Sequence, residues 1–184
     1  MLIAERLRAK SRYEYLIYLW YVEDVLRAYS LDWPRIEQEY LPRILATASS
    51  DEQRQAVHRW YADLCEMMRS EGCATSGHIQ IVKNIESELT ELHTQLLQHP
   101  DRFPDYHRSY QDILPALAEL RQRNTQQELT DVEMMLEALY GVMILTLQSK
   151  SVSPATKDSV ERFGRQLSLL SDYYNKDKEE PLDL

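Results

Sequence analysis

Glycine, cysteine, positive charge and long apolar runs are all scarce in this 184-residue chain, and each scarcity excludes something. Four glycines leave no glycine-rich loop to cradle a nucleotide phosphate. The two cysteines, Cys65 and Cys73, make neither a CxxC pair nor a disulfide framework, which predicts a reducing compartment. With 21 basic against 30 acidic side chains the net charge is -9, so nucleic acid is not an expected partner. The longest apolar run, Tyr15 to Val22, has eight residues. A membrane span needs about 20. Nor does it read as a secretory leader, because Glu5 and Glu14 interrupt the apolar region and Trp20 to Asp24 stand where a small-residue cleavage site would be. A cytoplasmic protein is predicted.

What is present favours helix. Leucine, alanine, glutamate, glutamine and arginine are plentiful, and strand signals are nearly absent. The composition, 43% hydrophobic and 28% charged, is that of a globular protein, and the length suits one domain burying roughly 70% of its unfolded surface. The predicted fold is all-α: a single-domain antiparallel bundle of six to seven helices over residues 1–175, with a mobile acidic tail over 176–184.

Local signals place the helices. The first runs from residue 2 to about Tyr29. Asp32 caps the second, with Pro34 in its first turn and Pro42 kinking or splitting it before Ala48. Ser50 and Gln53 form a capping box for a third that ends near Gly72. The fourth begins around Ser76 to His78 and ends before "QHPDRFP". A fifth spans Pro104 to Arg123 with a bend at Pro115. Thr130 and Glu133 open the sixth, which runs to about Lys150. Ser153 and Pro154 open the seventh, which ends near Asn175.

Apolar residues recur every three or four positions in the fourth helix (Val82, Ile85, Leu89, Leu92, Leu96), the fifth and the seventh, which marks core-facing stripes. The first helix differs. At 100° per residue, Tyr15, Tyr18, Leu19, Val22, Val25, Leu26 and Tyr29 share an arc of about 120°. Tyr13, Leu16, Ile17 and Trp20 lie opposite, on a stripe that continues into Glu23, Asp24 and Arg27. A helix contacted from both sides explains a run that is apolar on both faces. The first and sixth helices are expected to be the most buried.

The segments "EYLIYLWYVEDVLRAYSLD", "SGHIQIVKNIESELTELHTQLL", "VEMMLEALYGVMILTLQSK" and "SVSPATKDSVERFGRQLSLLSDYYNKDK" resemble, in order and over most of the chain, an uncharacterised all-helical domain family of unknown function found chiefly in Bacteroidetes bacteria. The resemblance implies a helical bundle. It brings no activity and no catalytic residue with it.

Chemistry-bearing patterns are few. No Asp, Glu, His or Cys lies three or four positions from His58, His78, His93, His99 or His107, so the one-face spacing of a bundle metal site is missing. The histidines read as exposed polar residues. No metal and no cofactor is expected. Cys65 stands two turns after His58, too far for a thiol–imidazole hydrogen bond, and reads as a small buried hydrophobe.

Three places are candidates for ligand binding. Trp20, Glu23, Asp24 and Arg27 share a stripe of the first helix: a solvated surface with a Glu23–Arg27 ion pair, or a partly buried pocket if another helix covers Trp20. Ser76, Gly77 and His78 stand at a helix start whose free N–H groups suit an anion, although capping by Ser76 explains the same residues. Glu137, Tyr140 and Gly141 lie on the polar side of the sixth helix. There a mid-helix glycine marks either close approach of a backbone or ligand, or a solvated face with one tolerated glycine. No catalytic residue is assigned. The leading functional expectation is a non-enzymatic interaction or scaffold protein that self-associates through helix faces or takes another protein partner. The alternative is a module for a small molecule or anion, or an enzyme, using the polar ends of the first, fourth and sixth helices.

Overall fold

The computed structural model describes residues 3–123 and 128–182, and every regular element among them is helical. The order is α1 (Ile3–Lys10), α2 (Arg12–Ala28), α3 (Trp33–Arg35), a π-helical turn (Ile36–Tyr40), α4 (Leu41–Leu45), α5 (Asp51–Ser70), α6 (Gln80–Gln98), α7 (Pro104–Arg123), α8 (Asp131–Leu147) and α9 (Pro154–Glu179). The all-α expectation holds, but nine α-helices among the described residues replace the expected six or seven because two expected helices are divided.

The first division falls at Ser11. The Tyr13 N–H donates to the Ser171 hydroxyl oxygen at 3.2 Å, a partner 158 residues away that no local pattern announces. The second falls before Pro42. A proline supplies no N–H and crowds the carbonyl four residues earlier, and the turn ahead of it widens until the Leu41 N–H bonds to the Ile36 carbonyl, five residues back.

Caps fix the other starts. Asp32, Ser50, Thr130 and Ser153 each accept a backbone N–H of the first turn, meeting donors that a helix start leaves open. Thr130 and Glu133 form both bonds of a capping box. The box expected at Ser50 is only half made: the Gln53 carbonyl oxygen accepts from the N–H and hydroxyl of Ser49 instead. At the end of α5, Gly72 takes φ +72° and the Cys73 N–H reaches the Met68 carbonyl, a glycine C-cap. Pro115 lies inside α7. Helix α9 continues to Glu179, into the stretch expected to be a tail, and residues 183–184 lie outside the described residues.

The described residues gather into two compact units, one formed by residues up to Lys10 with Glu14–Asn84, the other by Ser11–Tyr13 with residues from Ile85 on. In the first unit, α2 is buried on both faces: Leu19, Val22 and Leu26 on one side, Leu16, Trp20 and Glu23 on the other. Tyr18 stacks on Trp60, and Tyr61 meets Trp60 and Tyr40 edge-on. In the second unit the buried residues include Leu89, Leu96, Tyr106, Leu117, Met135, Phe163 and Leu167. The expected burial of the sixth helix holds only for its first half. Val132, Met134, Met135 and Leu136 are buried, Leu139, Val142 and Met143 are partly exposed, and Leu147 is 61% exposed. Among the described residues no helix is long and apolar enough to cross a membrane.

Candidate functional site

The charged stripe of α2 is covered by the loop between α5 and α6. Glu23 is 0% exposed, which a carboxylate tolerates only when its oxygens are bonded. Its Oε2 lies 2.5 Å from His78 Nδ1, and its Oε1 accepts the Ile79 N–H at 3.0 Å. Arg27, one turn on, has its Nη2 3.8 Å from Glu23 and its Nη1 2.8 Å from Asp24. The same guanidinium donates to the Cys73 carbonyl at 3.1 Å and to the Gly77 carbonyl. The Trp20 ring stacks on His78 with centroids 4.9 Å apart. Gly77 takes φ +79°, a conformation that side chains resist, and so turns the loop back toward α2.

Trp20, Glu23, Asp24, Arg27, Gly77 and His78 therefore come together as one cluster, although the sequence presents them as two separate candidates. Ser76 lies in the same loop, exposed, and does not cap α6, which starts four residues later. The helix-start N–H groups are met by carboxylates, Ile79 by Glu23 from 56 residues earlier and Gln80 by Glu71 at 2.5 Å from the same loop. These are the positions at which a bound anion would sit. The arrangement fastens the loop to α2.

Glu137 and Gly141 belong to the other unit. They line a cleft of about 450 Å³ walled by α7 (Ala116, Leu120) and α8 (Ala138, Val142, Leu145) and floored by α9 (Val160, Phe163). Glu119 and Arg123 stand along its α7 side, Ser153, Thr156 and Ser159 along α9. Tyr140 is partly exposed and is not among the lining residues.

A third polar group escaped the sequence reading. His93, expected at the surface, is buried at 5% exposure. Its Nδ1 lies 2.5 Å from the Tyr106 hydroxyl and its Nε2 3.9 Å from Asp131. Asp131 also accepts the Tyr110 hydroxyl at 2.5 Å and pairs with Arg121. Burial raises the Asp131 pKa, but the His93 imidazole beside it, the hydrogen bond from Tyr110 and the Arg121 charge outweigh it and hold the carboxyl below its ordinary range. Burial, with the adjoining Asp131 carboxylate, pushes the Tyr110 phenol up to about 12. A local signal existed. His93 falls between Leu89 and Leu96 on the apolar stripe of α6.

Burial pushes the Cys65 thiol up to about 11, which keeps it protonated and poorly nucleophilic at neutral pH. Among the described residues no three His, Cys, Asp or Glu side chains gather as a metal site requires.

No curated protein and no solved structure matches the chain. One family model does, across residues 1–181. An all-helical chain matched over nearly its whole length belongs to that family, the domain of unknown function DUF4924.

Proposed function

We propose that the protein is a non-enzymatic interaction protein that self-associates through a helix face, and that the face is the second half of α8. One observation carries this reading. Helix α8 is the most apolar of the long helices, yet beyond Leu136 its large side chains are only partly covered: Met143, Ile144 and Leu145 are partly exposed and Leu147 largely so. Apolar surface left in water forgoes about 25 cal/mol for every Å² that could be buried, and a contiguous patch of it is characteristic of an interaction site. The carboxylate, imidazole and guanidinium of the Glu23 cluster are engaged with one another and with the backbone, which gives that cluster a fastening role instead.

Light scattering across the micromolar range tests the proposal. The expected result is a mass that rises with concentration to a dimer or larger, and a return to monomer in Ile144→Lys with the circular dichroism unchanged. A monomer at the highest concentration would overturn it.

The cleft favours a second reading. Its volume of about 450 Å³ lies within the range of small-ligand sites, about 300 to 1,000 Å³, and its lining combines apolar walls with a few polar groups. A thermal-shift screen of amphiphilic small molecules checks it: a shift abolished by filling the cleft, as in Ala138→Leu, favours this reading, and no shift with any compound rejects it.

A further inference from the structure

We propose that the partner seated on α8 is the α8 of a second copy, running antiparallel and crossing near residues 142 and 143. This rests on the self-association reading above. The first observation is Gly141. It stands inside a helix of strong helix formers, where glycine lowers helix stability relative to alanine. Among the described residues nothing approaches it closely: its φ is not in the left-handed region, and outside its own helix backbone no atom lies within 4 Å of where a Cβ would stand. The missing side chain leaves a gap on the exposed side of α8, at the edge of the cleft that Gly141 lines.

The second observation is the order of charges. Asp131, Glu133 and Glu137 occupy the first half of α8, and Lys150 follows its end. A parallel partner would set acids against acids and align two helix dipoles. An antiparallel partner sets the acidic half of each helix beside the basic end of the other and opposes the dipoles.

At 100° per residue, Glu137, Gly141, Ile144 and Gln148 lie on the same outward side, and the structure leaves each exposed or partly exposed. Antiparallel pairing about the point between residues 142 and 143 then places Ile144 of each copy in the gap at Gly141 of the other. Glu137 comes opposite Gln148, and Glu133 falls within two residues of the position facing Lys150. The contact is self-complementary, as a two-fold dimer requires.

Two sets of variants of the full chain test it. Gly141→Leu is expected to raise the melting temperature of the dilute protomer while weakening dimerisation at least tenfold, and Lys150→Glu to weaken it about tenfold in low salt and less in high salt. A role confined to the protomer predicts no loss of association for either. For direction, Glu137→Cys and Gln148→Cys are made singly and oxidised mildly; Cys65 and Cys73 are buried and do not compete. An equimolar mixture should cross-link faster than either variant alone. Faster linking of either variant with itself, or a dimer that links in neither case, overturns the antiparallel pairing but leaves self-association standing. A monomer at every concentration removes both.

Discussion

Among the described residues α2 and α8 are the most apolar of the long helices, and they end differently. In α2 the run that is apolar on both sides is covered on both sides, and its charged end is closed by a loop that supplies His78, the Ile79 N–H and two carbonyl oxygens. In α8 the first half is buried and the second is not. The contrast shows that apolarity around a helix records a demand for cover without naming its source. For α2 the chain meets the demand itself. For α8 the partly covered half is what the proposed partner would meet, and it is also where Gly141 stands.

The sharpest way to break the contrast is at Arg27. If the α2 cluster is closed as described, Arg27→Ala removes the donor to the Cys73 and Gly77 carbonyls and strips the cation from beside the buried Glu23. The expected loss is about 3 to 5 kcal/mol, against less than about 0.5 kcal/mol for the exposed Arg8→Ala. Denaturation followed by tryptophan fluorescence reads the right unit, because Trp20, Trp33 and Trp60 all lie between Glu14 and Asn84. Equal, small losses in the two variants would make the cluster ordinary surface.

Next in size is Asp131, the first residue of α8, which anchors the helix start. Its folded pKa is depressed, so its contribution to stability is present above the unfolded value of about 3.9 and is lost as pH falls through the folded value. Protection factors of the α8 amides, with the intrinsic pH dependence of exchange divided out, should therefore fall on acidification in the natural protein. Asp131→Asn should be less stable by about 2 kcal/mol at neutral pH and nearly flat through the acid range. An unchanged acid slope would show that Asp131 does not hold α8 down.

What the sequence made legible follows from the range of each interaction. Caps at Asp32, Ser50, Thr130 and Ser153 act over three residues, and all four were readable. The two-sided burial of α2 was readable from an angular pattern within one helix. The break at Ser11, the capping of α6 by Glu23, and the joining of the α2 stripe to the Gly77–His78 loop all depend on partners far away in sequence. The sequence offers those candidate residues on separate segments, and no local pattern joins them into one cluster. His93 was legible and missed, because its residue type was weighed above its place on an apolar stripe. The partly exposed end of α8 was the reverse error: its apolar pattern was read as internal cover.

The smallest effects come from two glycines, and here the two regions should respond with opposite signs. A Cβ at Gly77 or at Gly141 meets no atom within 4 Å, so a steric count treats the two sites alike. Their backbones differ. Gly77 sits at φ +79° in the loop that closes over Glu23, and alanine there carries the left-handed penalty of about 1 to 2 kcal/mol. Gly141 lies in regular helix, and alanine there should raise stability by up to about 1 kcal/mol. Thermal unfolding of dilute protein, where no partner contributes, should thus show Gly77→Ala melting lower and Gly141→Ala melting higher than the natural chain. If Gly141→Ala also melts lower when dilute, the glycine has a role inside the protomer, and the gap on α8 is not available to a second copy.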